Sequence, residues 1–324
     1  MDSLSPLPRR QGGGSGSARS LLLTILGEFV LPAGEPPWTS ALLHVAWGLG
    51  LEEKSARQAL ARLAAGGWIT AHRAGRRVRW ALTPPGYELL AEGAARIYSF
   101  GRDAPAWDGR WLVLLVTVPE TRRQLRHKLR TRLTWAGFGS PLPGVWVSPH
   151  PAREAEAKQV TEQLGLAAET FSFSGPFAGI GAQRSLVEQA WHLDDLAARY
   201  QAFLARFEDL RPEAGDGTLL AQIRLVDEWR RFPLADPGLP PELLPPGWAG
   251  ARAAAVFARQ HRAWEPAAQA ASSTIAPSGV TWQPANIPTW RLNPTCGRRS
   301  WSPVTPWPAR MRFHRVIPVW QSAM

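Results

Sequence analysis

Residues 51–83 constrain the fold most, because the spacing of their apolar residues changes from helical to alternating within one short stretch. Before Gly66 and Gly67, the apolar residues share one helical face: Ala56, Leu60, Leu63 and Ala64. After these glycines, WITAHR and RRVRWAL have the pattern of two strands, with a tip at Ala74 and Gly75. The returning strand alternates two arginines with three apolar residues: Arg77, Val78, Arg79, Trp80 and Leu82. The stretch therefore predicts a helix followed directly by a basic β-hairpin.

Two further helices are predicted before this stretch. The first covers residues 18–30 and is followed by a run rich in proline. Four of its apolar residues follow helical spacing: Leu22, Ile25, Leu26 and Phe29. The second covers residues 39–47 and ends at a turn over 48–50. After the hairpin, Thr83 and Pro84 are typical of a helix start, and this helix runs to about Tyr98. Three helices followed by a hairpin indicate a winged helix-turn-helix domain.

The polar residues of this domain are candidates for DNA contacts. The third helix directs four polar side chains away from its apolar face: Ser55, Arg57, Gln58 and Arg62. The hairpin carries four arginines and no acidic residue near its tip: Arg73, Arg76, Arg77 and Arg79. A solvated hairpin tip is the alternative, but the helix-turn-helix pattern directly before the hairpin favours a double-stranded DNA operator as partner.

Residues 107–176 follow the order β-α-β-(β)-α-β, which predicts a small ferredoxin-like domain. WLVLLVTV (111–118) has the pattern of a buried strand, and Pro119 with Glu120 is predicted to open a strongly basic helix. Three leucines form the core stripe of that helix: Leu125, Leu129 and Leu133. Three arginines form a cationic stripe at i, i+4 spacing, either as a solvated face or as phosphate contacts: Arg122, Arg126 and Arg130.

Residues 178–271 are predicted to be entirely helical. One amphipathic face runs through residues 186–207: Leu186, Ala190, Leu193, Ala197, Tyr200, Leu204 and Phe207. A second helix covers about 219–232, DPGLPPELLPPGW forms a proline corner, and a last helix covers about 251–268. The sequence thus predicts a multidomain α+β protein with domains at 18–98, 99–177 and 178–271, and with disordered tails at 1–17 and 272–324.

The C-terminal tail differs in composition from the rest of the chain. Residues 280–324 contain five tryptophans, seven prolines and six arginines, without Lys, Asp or Glu and without a helical or alternating pattern. An out-of-frame extension of a gene from a GC-rich genome would produce such a composition, and it is the favoured interpretation. A disordered basic arm that binds DNA is the alternative.

Composition limits the classes of function. The net charge of +11 favours a polyanionic partner, but without the six tail arginines 31 basic residues face 26 acidic ones, so local clusters matter more than the total. The single cysteine, Cys296, excludes a disulfide framework and a site with several thiolates. No run of about 18 apolar residues and no signal region are visible, which predicts a cytoplasmic protein without a membrane span. The chain shows no metal-ligand spacing, catalytic triad or cofactor motif, so a non-enzyme is expected.

An ordered set of segments resembles the PaaX family of phenylacetic acid degradation repressors over about residues 18–271. These segments are SARQALARLAAGGWI, GRRVRWALTPPG, WDGRWLVLLV, GFGSPLPGVWVSP, AWHLDDLAARYQAFLARF and DPGLPPELLPPGWAG. The resemblance implies a winged-helix N-terminal domain, a central domain similar to the CRISPR-associated Cas2 fold, and a helical C-terminal domain. It also implies a homodimer that represses a catabolic operon and leaves DNA when phenylacetyl-CoA, an aryl-acyl-CoA, binds.

The resemblance leaves several assignments open. The cationic stripe at Arg122, Arg126 and Arg130 could contact DNA beside the operator or the phosphates of a CoA ligand. Four tryptophans could line an aromatic acyl pocket or simply belong to the core: Trp107, Trp111, Trp146 and Trp191. A metal-dependent nuclease built on the Cas2-like domain is an alternative function, although the first strand ends without aspartate and Glu120 is better interpreted as a helix-starting acid. A protein-binding adaptor is the other alternative.

Overall fold

A computed structural model describes residues 17–101 and 106–272, together with the backbone of 290–292 and 301–303. The chain divides into two compact units, one up to Glu92 together with the segment from Ala268, and one over Gly93–Ala267. The tails predicted at 1–17 and 272–324 lie outside the described residues, apart from Ser17, Ser272 and the two short backbone segments.

The first unit begins with helices. These are α1 (Ala18–Ile25), a π-helical turn (Leu26–Val30), α2 (Leu31–Ala33), α3 (Thr39–Gly48) and α4 (Glu53–Ala65). The first helix was predicted to end at Val30, but helical structure continues to Ala33 and ends at Gly34, whose φ is 70°. Pro32 lies in the last turn of this continuous helical segment, where its missing N–H removes one backbone hydrogen bond shortly before the helix ends.

The core of the first unit follows the predicted apolar spacing. Helices α1 and α3 both pack against α4. The predicted apolar residues of α1 and the π-helical turn are buried: Leu22, Ile25, Leu26 and Phe29. Leu42 of α3 and the predicted Leu60 and Leu63 of α4 are buried as well. Ala59, which the sequence pattern did not single out, is buried as well, whereas Ala64 is only half-buried. Burying one face of α4 leaves its polar face directed outward.

The hairpin consists of β1 (Ile69–Ala74) and β2 (Arg77–Leu82), which pair antiparallel with Ala74 opposite Arg77. Its tip is therefore Gly75 and Arg76, one residue later than predicted, and Gly75 adopts a φ of 60°. The three apolar residues that alternate with the arginines, Val78, Trp80 and Leu82, are half-buried, and only Ala81 of β2 is buried. Other elements cover a two-stranded ribbon along only part of its length, so buried and exposed residues do not alternate strictly along β2.

Helix α5 (Pro84–Ser99) follows the hairpin as predicted. The hydroxyl of Thr83 accepts a hydrogen bond from the N–H of Gly86 at 3.2 Å, which confirms Thr83 as the N-cap. Three helices, a hairpin and a fourth helix therefore stand in the order expected of a winged helix.

The second unit contains the predicted ferredoxin-like arrangement. Its elements are β3 (Arg110–Val116), α6 (Arg123–Trp135), β4 (Gly139–Leu142), β5 (Val145–Ser148), α7 (Glu154–Gln163) and β6 (Thr170–Pro176). The sheet order is β4-β5-β3-β6 with all neighbours antiparallel. This topology confirms the predicted α+β fold with its βαββαβ domain.

The segment between β3 and α6 differs from the prediction. The strand ends at Val116, and α6 begins at Arg123 rather than at Pro119 and Glu120. The N–H of Arg122 donates to the carbonyl of Pro119 at 3.0 Å, so these residues form a turn before the helix. Glu120 therefore lies outside the first helical turn, and the helix starts without an acidic residue.

The sheet has two apolar faces. Leu112, Leu114 and Val116 pack with Leu129 and Leu133 of α6 and with residues of α7. On the opposite face, Trp111 and Val147 pack against residues from the segments that follow β6. One part of this second face carries exposed apolar side chains, here named the apolar row: Leu115, Leu142, Phe171 and Phe173.

The rest of the second unit is helical, as expected. The helices are α8 (Gln183–Ala190), α9 (Leu193–Phe207), α10 (Asp216–Trp229), α11 (Phe232–Ala235) and α12 (Gly250–Ser272), with a 3-10 turn at Pro241–Leu243 in the proline corner. The continuous helix expected over 186–207 is wrong, because the chain becomes extended at Trp191. That break lets the Trp191 indole pack directly against Gly139, where a Cβ atom would lie 2.5 Å from the ring.

Two short strands, β7 (Trp290–Leu292) and β8 (Trp301–Pro303), pair antiparallel near the C-terminus. The absence of regular structure expected there is wrong for these six residues, because backbone hydrogen bonds can join two strands without an alternating apolar pattern. Among the helices of the described residues, none combines the length and the apolar content that crossing a membrane requires.

Candidate nucleic-acid interface

The exposed face of α4 carries the polar residues predicted to read DNA. Arg57, Gln58 and Arg62 are exposed, and Ser55 is half-buried. The guanidinium of Arg57 binds the carboxylate of Glu53 one turn earlier, with its Nε and Nη2 atoms 2.8 and 2.7 Å from Oε1. Arg62 donates from Nε to the carbonyl of Gln58 at 3.3 Å. The four predicted residues therefore share one accessible side of a helix whose other side is core.

The wing, defined as β1, β2 and their turn at Gly75 and Arg76, carries the predicted cations. Arg73, Arg76 and Arg77 are exposed, and within the described part of the chain none forms an ion pair with a carboxylate. Three arginines on a narrow ribbon without a counter-charge create a positive local potential. Such a potential suits contacts with phosphate groups.

Arg79 has a different environment from the tip arginines. Its guanidinium carbon lies 4.1 Å from the centre of the Trp38 ring, and its Nε atom is buried without a hydrogen-bond partner among the described residues. Trp38 also forms a β-bridge with Arg79, so the segment before α3 extends the ribbon by one residue pair. The cation–π contact anchors the base of the wing.

A small hydrogen-bond network joins the wing to α3. The Thr39 hydroxyl donates to the carbonyl of Val78 at 3.1 Å and accepts from the indole N–H of Trp80 at 2.9 Å. The N–H of Trp80 donates to the carbonyl of Pro37 at 3.0 Å. These contacts set the orientation of β2 and therefore of the exposed arginines on it.

Arg19 of α1 is a further cation at this surface that the sequence did not reveal. Its guanidinium carbon lies 4.5 Å from the centre of the Trp68 ring at the start of the hairpin. Burial lowers the pKa of Arg19, and the positive charge of Arg62 lowers it further. Residues 19, 62 and 68 are far apart in the chain, so no local pattern could have brought them together.

The four tryptophans predicted to lie in the core or in an acyl pocket separate into two places. Trp107, Trp111 and Trp191 lie together on one face of the sheet, with ring centres 5.6 Å apart for Trp107 and Trp111 and 6.3 Å for Trp111 and Trp191. Trp146 belongs to the core on the opposite face. The indole N–H groups of Trp111 and Trp191 are buried without a hydrogen-bond acceptor among the described residues.

The proline corner is bound tightly to the ferredoxin-like domain. Arg153 donates from Nη1 to the carbonyl of Ala136 at 2.7 Å and from Nη2 to that of Pro237 at 3.0 Å. A His150 ring nitrogen lies 2.6 Å from the carbonyl oxygen of Gly238. Burial is the main cause that lowers the pKa of both side chains. These bonds fix the corner without using an exposed cation.

Across residues 17–101 and 106–272, no group of three or more His, Cys, Asp or Glu side chains is placed to hold a metal ion. The chain thus combines a helical unit that has a basic ribbon with a ferredoxin-like domain and a helical region. A chain with these parts is a multidomain α+β protein.

Family models identify the class. The model of PaaX-like proteins matches residues 17–86, that of the PaaX protein central Cas2-like domain matches 104–187, and that of the PaaX-like protein C-terminal domain matches 191–273. The transcriptional repressor PaaX of Escherichia coli strain K12 is 32% identical over 280 residues, which cover 83% of this chain and 87% of that protein. The chain belongs to the PaaX family.

A solved structure has a similar fold. The uncharacterized protein Rv0674 from Mycobacterium tuberculosis is 25% identical and aligns with a TM-score of 0.53. The alignment covers 79% of this chain and 99% of that protein. The two proteins therefore share a fold over most of their lengths.

Proposed function

We propose that this protein is a DNA-binding transcriptional repressor in which α4 reads the operator and the wing contacts its backbone. The observation that carries the proposal is the exposed polar face of α4 followed directly by a ribbon on which Arg73, Arg76 and Arg77 are exposed. Membership of a family that includes a named transcriptional repressor supports regulation rather than catalysis. The resemblance adds phenylacetate catabolism as the controlled process.

The proposal is tested by selecting duplexes from a random library with the full chain and measuring their affinity by fluorescence anisotropy. A specific site is expected to bind about 10³-fold or more tightly than a random duplex at physiological salt. A reporter gene placed behind the selected site should be repressed when the protein is expressed. Binding without any sequence preference would contradict the proposed function.

The wing is expected to supply affinity rather than specificity. Replacing Arg76 and Arg77 by alanine should weaken binding to the selected duplex and to a random duplex by similar factors, because phosphate contacts carry little sequence information. The slope of log K against log salt should fall by up to about two units per wing. Anisotropy titrations at several salt concentrations measure both quantities.

Two exposed arginines of α8 and α9 provide the control for this wing variant. Arg184 and Arg199 are exposed in the second unit, so their replacement by alanine removes the same charge from a different surface. We expect this control to bind both duplexes almost as the wild type does. A wing variant that lost only specific binding would show that the wing reads bases.

An aryl-acyl-CoA is proposed as the effector, as the family resemblance implies. The aromatic group of Trp107, Trp111 and Trp191 is the proposed contact for the aryl portion. Two of its buried indole N–H groups have no acceptor among the described residues and could donate to an acyl carbonyl. The effector is proposed to favour a form of the protein that does not bind DNA.

Calorimetry with phenylacetyl-CoA and free phenylacetate tests the effector. The CoA ester is expected to bind more tightly, because its phosphates add charge-assisted contacts that phenylacetate lacks. Trp191→Phe should weaken ester binding, whereas Trp146→Phe, in the opposite core, should leave binding unchanged. Both variants should lower stability by similar amounts, because each replaces a buried indole by a smaller ring. Equal affinity for the two compounds, or none for either, would exclude a CoA ester.

A homodimer is also proposed, with the apolar row as its contact surface. Leu142 and Leu115 both pair with Val145 of β5, and Leu115 pairs with Phe171 of β6, so Leu142, Leu115 and Phe171 lie in one line across the sheet. Their exposed fractions are 59%, 40% and 63%. Two copies could pack such flat faces about a two-fold axis, and two-fold dimers match the two half-sites of an operator.

Light scattering after size exclusion tests this surface. Replacing Phe171 and Phe173 by lysine is expected to convert a dimer to a monomer, because charges on facing sheets would oppose their burial. Trp47→Lys, at another exposed aromatic side chain, should leave the dimer intact. A monomeric wild type would contradict the dimer, and a dimeric double variant would contradict its location.

A further inference from the structure

Helix α6 of the ferredoxin-like domain has exposed sides that are rich in cations. Leu129 and Leu133 are buried against the sheet, Leu125, Thr131 and Arg132 are half-buried, and the other residues of the helix are exposed. The exposed basic residues at or next to the helix are Arg122, Arg123, Arg126, Lys128 and Arg130. The helix contains no acidic residue, so its charge is not balanced within the element.

The structure changes which arginines share a side of this helix. Arg122 is the N-cap, with φ −97° and ψ 50°, and therefore stands outside the helical repeat. Arg123, Arg126 and Arg130 follow the spacing i, i+3, i+7, which places their side chains on one side. This trio extends over about 10 Å of helix axis at 1.5 Å per residue.

Carboxylates nearby neutralise little of this charge. Arg126 lies 3.8 Å from Glu120, a long ion pair in which the glutamate side chain is 95% exposed. Within residues 17–101 and 106–272, no ion pair involves Arg123, Lys128 or Arg130. Like charges at this spacing destabilise a helix, and cations at its N-terminus oppose the helix dipole. The arrangement therefore costs folding free energy unless an anion offsets it.

The shape of the surface favours an extended anion over a small one. A depression of about 480 Å³ at the start of α6 is open and shallow, and its lining contains three of the cations: Thr121, Arg122, Arg123, Gln124, Leu125 and Lys128. A ligand phosphate is held by donors that converge on one enclosed point, whereas these cations are spread along an open face. One DNA strand presents a phosphate for about every 3.4 Å of axis, so the trio spans about three phosphates.

We propose that the exposed side of α6, centred on Arg123, Arg126 and Arg130, is a second DNA-binding surface that contacts the phosphate backbone without reading bases. The inference rests on the proposed function, because it assigns a further contact to the same DNA partner. The inference assigns these arginines to DNA phosphates rather than to the phosphates of a CoA ester. The surface supplies affinity by releasing counterions and does not depend on operator sequence.

The test uses the full chain with Arg123, Arg126 and Arg130 replaced by glutamine. Glutamine has a helix propensity similar to that of arginine, so α6 should fold, and the midpoint of thermal unfolding should stay the same or rise because like-charge repulsion is removed. The matched control is Arg184→Gln with Arg199→Gln and Arg206→Gln, which removes three charges from exposed positions on α8 and α9.

Binding is measured by anisotropy to a random duplex of 40 base pairs at several salt concentrations. The α6 variant is expected to bind about 10- to 100-fold more weakly at low salt, with a salt slope smaller by about two to three units per protomer. The ratio of affinities for a selected operator and the random duplex should stay within about twofold of the wild type, because phosphate contacts do not discriminate sequence. The control variant should lose less than about threefold.

The possible failures are distinguishable. A wild-type protein that binds no duplex would overturn the proposed function itself. If the wild type binds DNA and the α6 variant keeps its affinity and salt slope, only the second surface is wrong. A variant that keeps DNA binding but loses affinity for phenylacetyl-CoA in calorimetry would assign the arginines to a ligand, which also overturns the inference.

Discussion

Replacing Asp227 by asparagine is expected to lower the free energy of unfolding by about 3–5 kcal/mol. Asp227 and Arg230 form an ion pair inside the second unit, where their side chains are only 5% and 2% exposed. One carboxylate oxygen of Asp227 accepts from Nε and Nη2 of Arg230 at 3.0 Å, and the other accepts from Arg231 at 2.6 Å.

The size of this effect follows from the charge that would remain. Burial lowers the pKa of Arg230, and the charge of Asp227 opposes that change. Without the carboxylate, a guanidinium stays desolvated beside Trp229, which is fully buried, and no solvent replaces the lost partner. Urea unfolding monitored by circular dichroism measures the loss.

Two further variants distinguish the effect of an unpaired buried charge on stability from the effect of altered packing in the helix. Asp227→Leu combined with Arg230→Met removes both charges and should recover most of the stability, because an apolar pair of similar volume can replace a buried ion pair. Glu188→Gln breaks the exposed pair with Arg184 and should change stability by less than about 1 kcal/mol. A double variant as unstable as Asp227→Asn would indicate that packing rather than charge is decisive.

Replacing Arg57 and Gln58 by alanine is expected to reduce the preference for a selected operator over random DNA by about 2–6 kcal/mol in total. In a major groove, arginine pairs with guanine and glutamine with adenine, and each such bidentate pair contributes about 1–3 kcal/mol of discrimination. Competition anisotropy with the two duplexes measures the change. Binding to random DNA should be reduced much less.

Glu53→Gln is the matched variant for this prediction. In the DNA-free structure the Arg57 guanidinium is bound to Glu53, so reading a base requires that this pair open. Removing the carboxylate should raise operator affinity by up to about fivefold, because an exposed pair and a repelled phosphate together contribute about 1 kcal/mol. If the alanine variant weakened binding to both duplexes equally, Arg57 and Gln58 would contact the DNA backbone rather than the bases.

Local sequence patterns predicted most of the elements. The four apolar residues of the first helix and the leucines of α4 and α6 repeat at helical spacing, and the βαββαβ order was visible in the chain. Burial of one stripe on each helix is decided by that spacing alone. The polar face of α4 and the arginines of the wing could therefore be named as candidates from the sequence.

Element boundaries depended on contacts that the local pattern does not contain. The helix expected across residues 186–207 breaks because Trp191 packs on Gly139, which comes from a strand about 50 residues earlier. Pro119 and Glu120 form a turn rather than a helix start because the carbonyl of Pro119 accepts from Arg122. In both places a specific tertiary or turn contact overrode the helical preference of the chain.

The sequence by itself determined which residues are apolar, which are cationic and with what period they recur, and this was enough for the fold class and for the candidate faces. Only the tertiary structure decided which cations remain accessible. Arg79 packs on Trp38 and Arg153 is bound to the proline corner, whereas Arg76 and three arginines on α6, Arg123, Arg126 and Arg130, stay exposed. The physical reason is that a guanidinium is neutralised or stacked by partners distant in the chain, and no local spacing encodes such partners.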